Sequence, residues 1–415
     1  MVDVIAHRGP DDSGIFHSGL GLLDRGFVAA GEAWPEDAAN SYSGAILGHR
    51  RLSIIDLTGG RQPLSNEDGS VWIAFNGEIY NYRELRPDLQ SRGHRFATDS
   101  DTEVVVHLYE EYGERCLDKL RGMFAFAIWD ARRQRLFVAR DRLGQKPLFY
   151  RQHGNRFDFG SELKSLLQLE DASREVCPQA VDLYLTYQYV PHPTSILKGY
   201  HRLPPAHFAV FDESGLRVER FWRPPYEPGI SPQVGLDPDS PLAEPTVETS
   251  SWDLSRWQSE LREALTEAVR LRMRSDVPLG AFLSGGVDST IIAGLMQQLS
   301  DRPVHTFSIG FPIAKFDERS FAREASKMLG TEHHEQVVEP SALSILPKLV
   351  WHYDEPFSDS SAIPTMYLSE MTRQFVTVAL SGDGGDELFA GYDRYKAVRV
   401  AAMIDRLPRP LKAIL

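Results

Sequence analysis

Two cysteines, Cys116 and Cys177, are the whole thiol content of 415 residues. Neither spacing nor neighbours make them a bridged pair or a metal motif, which suits a reducing compartment and points to the cytoplasm. Cys116 falls in the helical pattern EVVVHLYEEYGERCLDKL and reads as a small apolar filler rather than a nucleophile. No leading apolar h-region is visible and no uninterrupted apolar run is long enough to cross a bilayer, so a soluble protein without a membrane partner is expected. Basic charge is also in deficit. Lys and Arg number 45 against 58 Asp and Glu, a formal net charge of −13, and the pI is near 5.5. That balance argues against a nucleic-acid partner, which requires a basic face. There is no tandem repeat, and no Gly-Lys-Ser/Thr loop ending of the kind that cradles a γ-phosphate.

What is present is a pair of glycine loops. SGGVDS, Ser284 to Ser289, lies between the apolar run VPLGAFL and the helical run TIIAGLMQQL. Gly285 and Gly286 allow a sharp turn that brings N–H groups to an anion, and the following helix adds the positive end of its dipole. Ser284 and Ser289 add hydroxyl donors, and Asp288 could hold the magnesium ion that accompanies a nucleotide. A lone loop of this kind is as easily a turn that binds nothing. A second one, SGDGGDE from Ser381 to Glu387, follows the β-type run FVTVAL and precedes another helical stretch. Two loops leaving two strands of an open α/β sheet can face one crevice. Asp383, Asp386 and Glu387 make the second loop too acidic for a bare phosphate, so a cation or an amine is expected there.

The two halves differ in pattern. From about 45 to 220, GAILGHRRLSIID, VWIAFNGEIY, GMFAFAIWD, RLFVARD and NRFDFGS read as strands and 102–120 and 162–168 as helices, which predicts packed sheets flanked by helices. Residues 223–251 are rich in proline and acid, without periodicity, and read as a linker. Beyond it, Leu254, Trp257, Leu261, Leu265 and Ala268 recur at helical spacing. VHTFSIGF and EQVVE then read as strands around a helix from Glu318 to Leu329, an alternation that predicts a doubly wound parallel sheet. The expected domains are therefore 1–222 and 252–415.

HRGPDDSG, HRRLSIID, FNGEIYN, SDTE, GMFAFAIWD, RDRLGQKPLFY, SELKSL, LSGGVDS, DEPFSDSSAIPTMYL and LSGDGGDELFAGY occur in this order along the chain. The series resembles the bacterial-type glutamine-hydrolysing asparagine synthetases over essentially the whole length. The resemblance implies an N-terminal-nucleophile-type glutaminase sandwich followed by an ATP pyrophosphatase domain. It also implies ATP and Mg2+, the small-molecule substrates glutamine and aspartate, and a β-aspartyl-AMP intermediate, and it is compatible with a homodimer. By resemblance Arg51 meets the glutamine carboxylate, Glu78 and Asp101 its α-amino group, and main-chain groups of Leu52, Ser53, Ile54 and Ile55 line the pocket. Asn76 and Gly77, read as falling just after a strand, would form an oxyanion hole. Apart from the resemblance, Arg51 is a solvated charge following a strand, and Ser100 or Asp101 is a cap for a helix from Thr102. Arg140, Asp141 and Lys146 read as a structural turn. Leu283, Ser284, Gly285, Gly286, Asp288, Ser289, Ile309, Ser381 and Gly382 match the family's ATP contacts. Asp383 matches an acid beside the adenylate, and Asp386 is a second candidate for metal or substrate. Glu387 is equally a helix cap.

The sequence also departs from the family. The family's glutaminase uses an amino-terminal cysteine, whereas here Val2 follows Met1 and HRGP arrives at His7. The chain as given is therefore expected to lack the glutaminase step, as a shortened gene model or a fragment would. The family's further helices after SGDGGDE are expected to be cut short at Leu415, and His17 to Ser43 reads as a surface insertion. Two competing readings stand: a related amidotransferase or β-lactam-synthetase-like enzyme acting on another carboxylate, and an inactive binding module.

Overall fold

The computed structural model describes residues 1–23, 44–224, 253–312, 317–339 and 342–405. Most of the expected insertion, most of the expected linker, and the last ten residues lie outside the described residues. In chain order the elements are a 3-10 turn Asp3–Arg8, β1 Asp12–His17, β2 Gly21–Leu23, β3 Ile46–Arg51, β4 Leu64–Ser65, β5 Val71–Ile79, α1 Tyr82–Ser91, α2 Asp101–Tyr112 and α3 Cys116–Lys119. Next come β6 Gly122–Asp130, β7 Arg135–Arg140, β8 Phe149–His153, β9 Arg156–Gly160, α4 Leu163–Leu166, α5 Pro178–Tyr187, β10 His201–Arg202, β11 His207–Asp212 and β12 Gly215–Arg220. Then follow α6 Leu254–Arg272, β13 Leu279–Phe282, α7 Val287–Leu299, β14 His305–Gly310, α8 Arg319–Leu329 and β15 Glu332–Val337. The last are α9 Ala342–Tyr353, α10 Ala362–Thr372, β16 Val378–Leu380, α11 Gly385–Phe389 and α12 Asp393–Asp405.

Contacts divide the chain into two compact units. The first comprises Met1–Gln258, Arg274–Asp276 and Ser341–Ile363. It is built on a six-stranded antiparallel sheet, β12-β11-β7-β6-β5-β4, with two three-stranded sheets, β2-β1-β3 and β10-β8-β9. Successive side chains of a strand point to opposite faces, and here size follows the alternation. Phe75, Phe124, Phe126, Phe137 and Phe208 share one core with Val104, Val105 and Leu108 of α2. Ala74, Ala125, Ala127 and Ala209 share another with Phe16 and Leu47 from the β2-β1-β3 sheet. Rings thus fill the helix side, and alanines leave room on the other. Cys116 is fully buried in the first core, and burial raises its thiol pKa, as expected for a filler.

The second unit comprises Ser259–Met273, Val277–Pro340 and Pro364–Leu415, around a parallel sheet of order β15-β14-β13-β16. Ala281 and Leu283 pack with residues of α6, α7 and α8, whereas Phe282, Phe307 and Ile309 pack with Met371 and Leu368 of α10. Helices therefore cover both faces, as the alternation of elements predicted.

Several boundaries differ from the sequence reading. The strand read over 44–56 is confined to Ile46–Arg51, so Arg51 ends the strand rather than following it. Helix 102–120 breaks after Tyr112 at Gly113, whose φ is 58°, and the helix read over 162–168 shrinks to Leu163–Leu166. EQVVE shifts to Glu332–Val337 because imidazoles occupy inward positions: His333 bonds the Thr306 and Ser308 hydroxyls at 3.0 and 3.1 Å, and the His334 ring lies 5.2 Å from that of Phe307. FVTVAL yields only Val378–Leu380, since Phe375 and Val376 N–H groups still bond the Thr372 carbonyl.

Phe137 has no exposed surface, and its ring lies 5.4 to 5.8 Å from those of Tyr109, Phe208 and Phe126. Phe137→Ala is expected to lower stability by about 3–5 kcal/mol, read as an earlier urea midpoint with unchanged slope.

Candidate active sites

A cavity of 1920 Å³ opens over the alanine face of the first unit, lined by residues that include Ala74, Asn76, Gly77, Glu78, Ala125 and Ala127. Arg51, Leu52, Ile54, Ile55 and Asp101 line it too. Asn76 and Gly77 lie inside β5, paired with Ala125 and Phe124, and not after the strand as the sequence reading had them. The correction has a chemical consequence. β4 pairs with β5 only at Trp72 and Ile73, which leaves the strand's outer edge without a strand partner from Ala74 onward. On that edge the Phe75 N–H donates to Gln62 Oε1 and the Ile79 N–H to Asp101 Oδ2, both at 2.7 Å. N–H groups two residues apart point the same way, so the Gly77 N–H lies on the same edge between them. A side chain at 77 would meet the Met123 carbonyl at 2.2 Å and the Phe124 Cα at 2.8 Å, so only glycine keeps the strand pairing. The Asn76 amide, on the cavity face with Ala74 and Glu78, donates weakly to the Ser161 hydroxyl at 3.5 Å.

Ser100 caps α2, accepting from the Thr102 N–H at 3.1 Å, which leaves Asp101 to turn its carboxylate to β5. Burial raises the Asp101 pKa to about 6 against the bonds that hold its anion. Burial and the Asp101 charge also push Glu78 well above the usual carboxylate range, with Lys146 and Arg51 opposing. Glu78 Oε2 is buried without a hydrogen-bond partner. The Arg51 guanidinium is held by the carbonyls of Ile55 and Asp56 at 3.2 and 2.6 Å. The Ser53 N–H is engaged by Asp11 at 2.8 Å, and Ser53 does not line the cavity. The RDRLGQKP segment is a turn built on Asp141, whose carboxylate accepts from the N–H groups of Leu143, Gln145 and Lys146. Lys146 also lines the cavity, where burial and Arg8 lower its pKa.

Sequence reasoning missed an ionic cluster that joins three of the quoted motifs within this unit. Glu162 accepts from His7 at 3.0 Å and Arg8 at 2.9 Å and pairs with Lys164, whose ammonium lies 3.0 Å from Asp354. Nothing in the spacing of residues 7, 162 and 354 could have signalled this; only their charge within each motif did.

In the second unit, Leu283 is buried just beyond β13, and Ser284 to Gly286 form the turn into α7. Gly285 has φ +84°, and a Cβ there would meet the Phe321 carbonyl carbon at 2.5 Å. Ser284 and Ser289 hydroxyls lie 3.0 Å apart across the loop, and the Gly286 N–H donates to Ser284 Oγ at 3.2 Å. Asp288 and Ser289 stand in the first turn of α7. Ser381 and Gly382 follow β16, which neighbours β13 on one side as β14 does on the other. A Cβ at Gly382 would come within 2.9 Å of both Asp288 Cβ and the Ser289 nitrogen, and one at Gly385 within 2.4 Å of the Asp288 carboxylate. The two glycine loops are therefore in van der Waals contact, through Asp288. Among the described residues no hydrogen bond or ion pair holds that carboxylate, which leaves a hard oxygen donor of the type Mg2+ takes. Asp383 accepts from the Ser381 hydroxyl at 2.8 Å, and Glu387 from the Tyr392 hydroxyl at 2.8 Å. Asp386 lies in α11, and Ile309 in β14 packs partly into the core with Phe307.

Two family models match the chain, a glutamine amidotransferase domain over residues 33–222 and asparagine synthase over 260–413. Asparagine synthetase [glutamine-hydrolyzing] 1 of Bacillus subtilis is 37% identical over all of this chain and 58% of its own length. A glutamine-hydrolysing asparagine synthetase of Methanocaldococcus jannaschii is 36% identical over all of this chain and 76% of its own. Amidase chry2 of Gibberella zeae is 31% identical over 95% of this chain and 55% of its own. The chain belongs to the glutamine-hydrolysing asparagine synthetase family. It spans about three-fifths of the length of the Bacillus relative.

Both acids beside β5 have folded-state pKa values above their unfolded ones. The stability they contribute is thus present at low pH and lost as pH rises from 3.8 through about 6 for Asp101, and higher for Glu78. Glu78→Gln is expected to stabilise the ligand-free protein at pH 8 by about 1–3 kcal/mol. The gain should shrink toward pH 4.5, where wild-type Glu78 is itself protonated; urea titrations across this range check it, and a less stable variant at pH 8 contradicts it. Gly382→Ala should cost about 1–3 kcal/mol through overpacking against Asp288, measured by thermal unfolding, and should weaken ATP binding in calorimetry.

Proposed function

We propose that this sequence belongs to an enzyme that amidates L-aspartate to L-asparagine with glutamine-derived ammonia, converting ATP to AMP and pyrophosphate. The observation that carries the reading is the meeting of two glycine loops at Asp288, at the carboxyl ends of adjacent parallel strands. In this reading the aspartate side-chain carboxylate attacks the α-phosphorus of ATP, pyrophosphate leaves, and ammonia displaces AMP from the β-aspartyl-AMP. Ser284, Gly285, Gly286 and Ser289 grip the pyrophosphate, and Leu283, Ile309, Ser381 and Gly382 contact the rest of the nucleotide. Asp383 lies by the adenylate. Asp288 and Asp386 would hold Mg2+, which when bound offsets phosphate charge. Positioning and charge neutralisation carry the rate.

Residues 1–222 are read as the glutaminase, an N-terminal-nucleophile-type sandwich, linked by 223–251 to an ATP pyrophosphatase domain over 252–415. Arg51 takes the glutamine carboxylate and Glu78 with Asp101 its ammonium, supported by the orphaned Glu78 oxygen. Leu52, Ser53, Ile54 and Ile55 border the ligand. The Asn76 amide and the Gly77 N–H on the open edge of β5 face the developing oxyanion.

The full-length protein should exchange radiolabelled pyrophosphate into Mg-ATP only when L-aspartate is present. Asp288→Asn should lower that exchange by about 100-fold or more. Exchange promoted by another acid but not by aspartate would reassign the acceptor. No exchange with any carboxylate would overturn the nucleotide reading.

A further inference from the structure

Away from the cavity, α2 carries His107 and Glu110 three residues apart and therefore on one face. Glu67, from the turn between β4 and β5, and His94, from the loop after α1, converge on the same point. One ligand atom from each of Glu67, His94, His107 and Glu110 lies within 4.8 Å of all the others. His107 Nδ1 is 3.0 Å from Glu110 Oε2 and 3.8 Å from Glu67 Oε2, and His94 Nδ1 is 3.7 Å from Glu110 Oε2 and from the other Glu67 oxygen, Oε1. Four donors placed tetrahedrally about 2.0–2.1 Å from an ion stand roughly 3.4 Å apart, a value that lies within the 3.0 to 3.8 Å range of these pairs.

The surroundings are those of a metal's outer shell. His94 Nε2 bonds Glu111 at 3.1 Å, Glu110 Oε1 accepts from the Asn66 amide at 2.6 Å, and Glu67 Oε1 from the Arg95 N–H at 2.7 Å. These contacts orient each group, and an ion would replace the 3.0 Å hydrogen bond between His107 Nδ1 and Glu110 Oε2. His107 Nε2 is buried, has no hydrogen-bond partner, and faces Glu103 at 3.8 Å, the placement of a carboxylate behind a ligating imidazole. Charge points the same way. A dication bound by neutral histidines would cancel the charges of Glu67 and Glu110, while Glu103 is held by the Ala97 and Thr98 N–H groups. Glu67 is the most exposed of the four and marks the way in.

We propose that Glu67, His94, His107 and Glu110 form a structural site for a divalent transition metal of the zinc type, tying the β4–β5 turn and the loop after α1 to α2. Mixed nitrogen and oxygen donors in tetrahedral array suit Zn2+, and four protein ligands leave no open position for catalysis. The competing account is an ion-pair cluster about a protonated His107: burial opposes that charge, but Glu103, Glu110 and Glu67 raise its pKa to about 9.

The test uses the whole chain, stripped with chelator and titrated with Zn2+ by calorimetry and thermal unfolding, with Co2+ as a spectroscopic probe. Wild type should bind one equivalent, unfold at a higher temperature, and give the visible band of tetrahedral Co2+. Glu67→Gln and His94→Gln, at the more exposed ligands, should fold yet bind Zn2+ at least about 100-fold more weakly, exceeding the loss usual for an outer-shell change. His334→Gln, in the separate His305, Glu332 and His334 group, should leave binding unchanged. The proposal fails if wild type takes up no Zn2+, if the Glu67 and His94 variants bind as wild type does, or if only His334→Gln abolishes binding.

Discussion

The alternation of large and small side chains at the centre of β5 and β6, Ala74 against Phe75 and Ala125 and Ala127 against Phe124 and Phe126, is the constraint on which the first unit rests. Phenylalanines on one face of the six-stranded sheet press against α2, and alanines on the other face allow a cavity where a second layer of rings would have closed it. Because the side-chain period of a strand is two, a register slip of one residue would exchange the faces. The same slip would turn the Asn76 and Glu78 side chains away from the cavity. Core packing and site geometry are thus one specification, written in the same nine residues of β5.

In the second unit the corresponding constraint is strand order. β14 and β15 extend the sheet from one side of β13 and β16 joins on the other, so the order reverses at β13. Open α/β sheets bind ligands outside the carboxyl ends of their strands at such a reversal. Both glycine loops leave the sheet there, and Gly382 and Gly385 lack side chains where Asp288 needs the space.

Much of this was legible in the sequence. Strands such as VWIAFNGEIY and GMFAFAIWD announce themselves by apolar content, and the serine that begins SDTE announces the cap of α2. What was not legible is of two kinds. Polar residues standing in for apolar ones, as His333 and His334 do in β15, carry no hydrophobic signal. Long-range partners such as His7, Glu162 and Asp354 carry no spacing signal, because only the folded chain sets their distances. The surroundings of Asn76 and Gly77 were hidden as well. The sequence reading placed Asn76 and Gly77 after the strand, whereas they lie inside β5, whose open edge depends on how short β4 is.

The buried acids beside that edge show how stability and recognition are opposed at one place. Asp101 does two structural jobs, beginning a helix and holding the Ile79 N–H, and neither requires Glu78. Glu78 brings a second carboxylate into a desolvated spot and leaves one oxygen without a donor. A glutamine at 78 would relieve the cost of that burial, whereas a ligand ammonium would favour the ionised form of both acids. An amide-bearing ligand without the ammonium would leave the acids unpaired, and a site built to satisfy buried polar groups discriminates strongly against ligands that cannot do so. In the proposed glutamine reading, the cost of burying these acids in the ligand-free pocket would set a preference for a ligand that brings an ammonium to them.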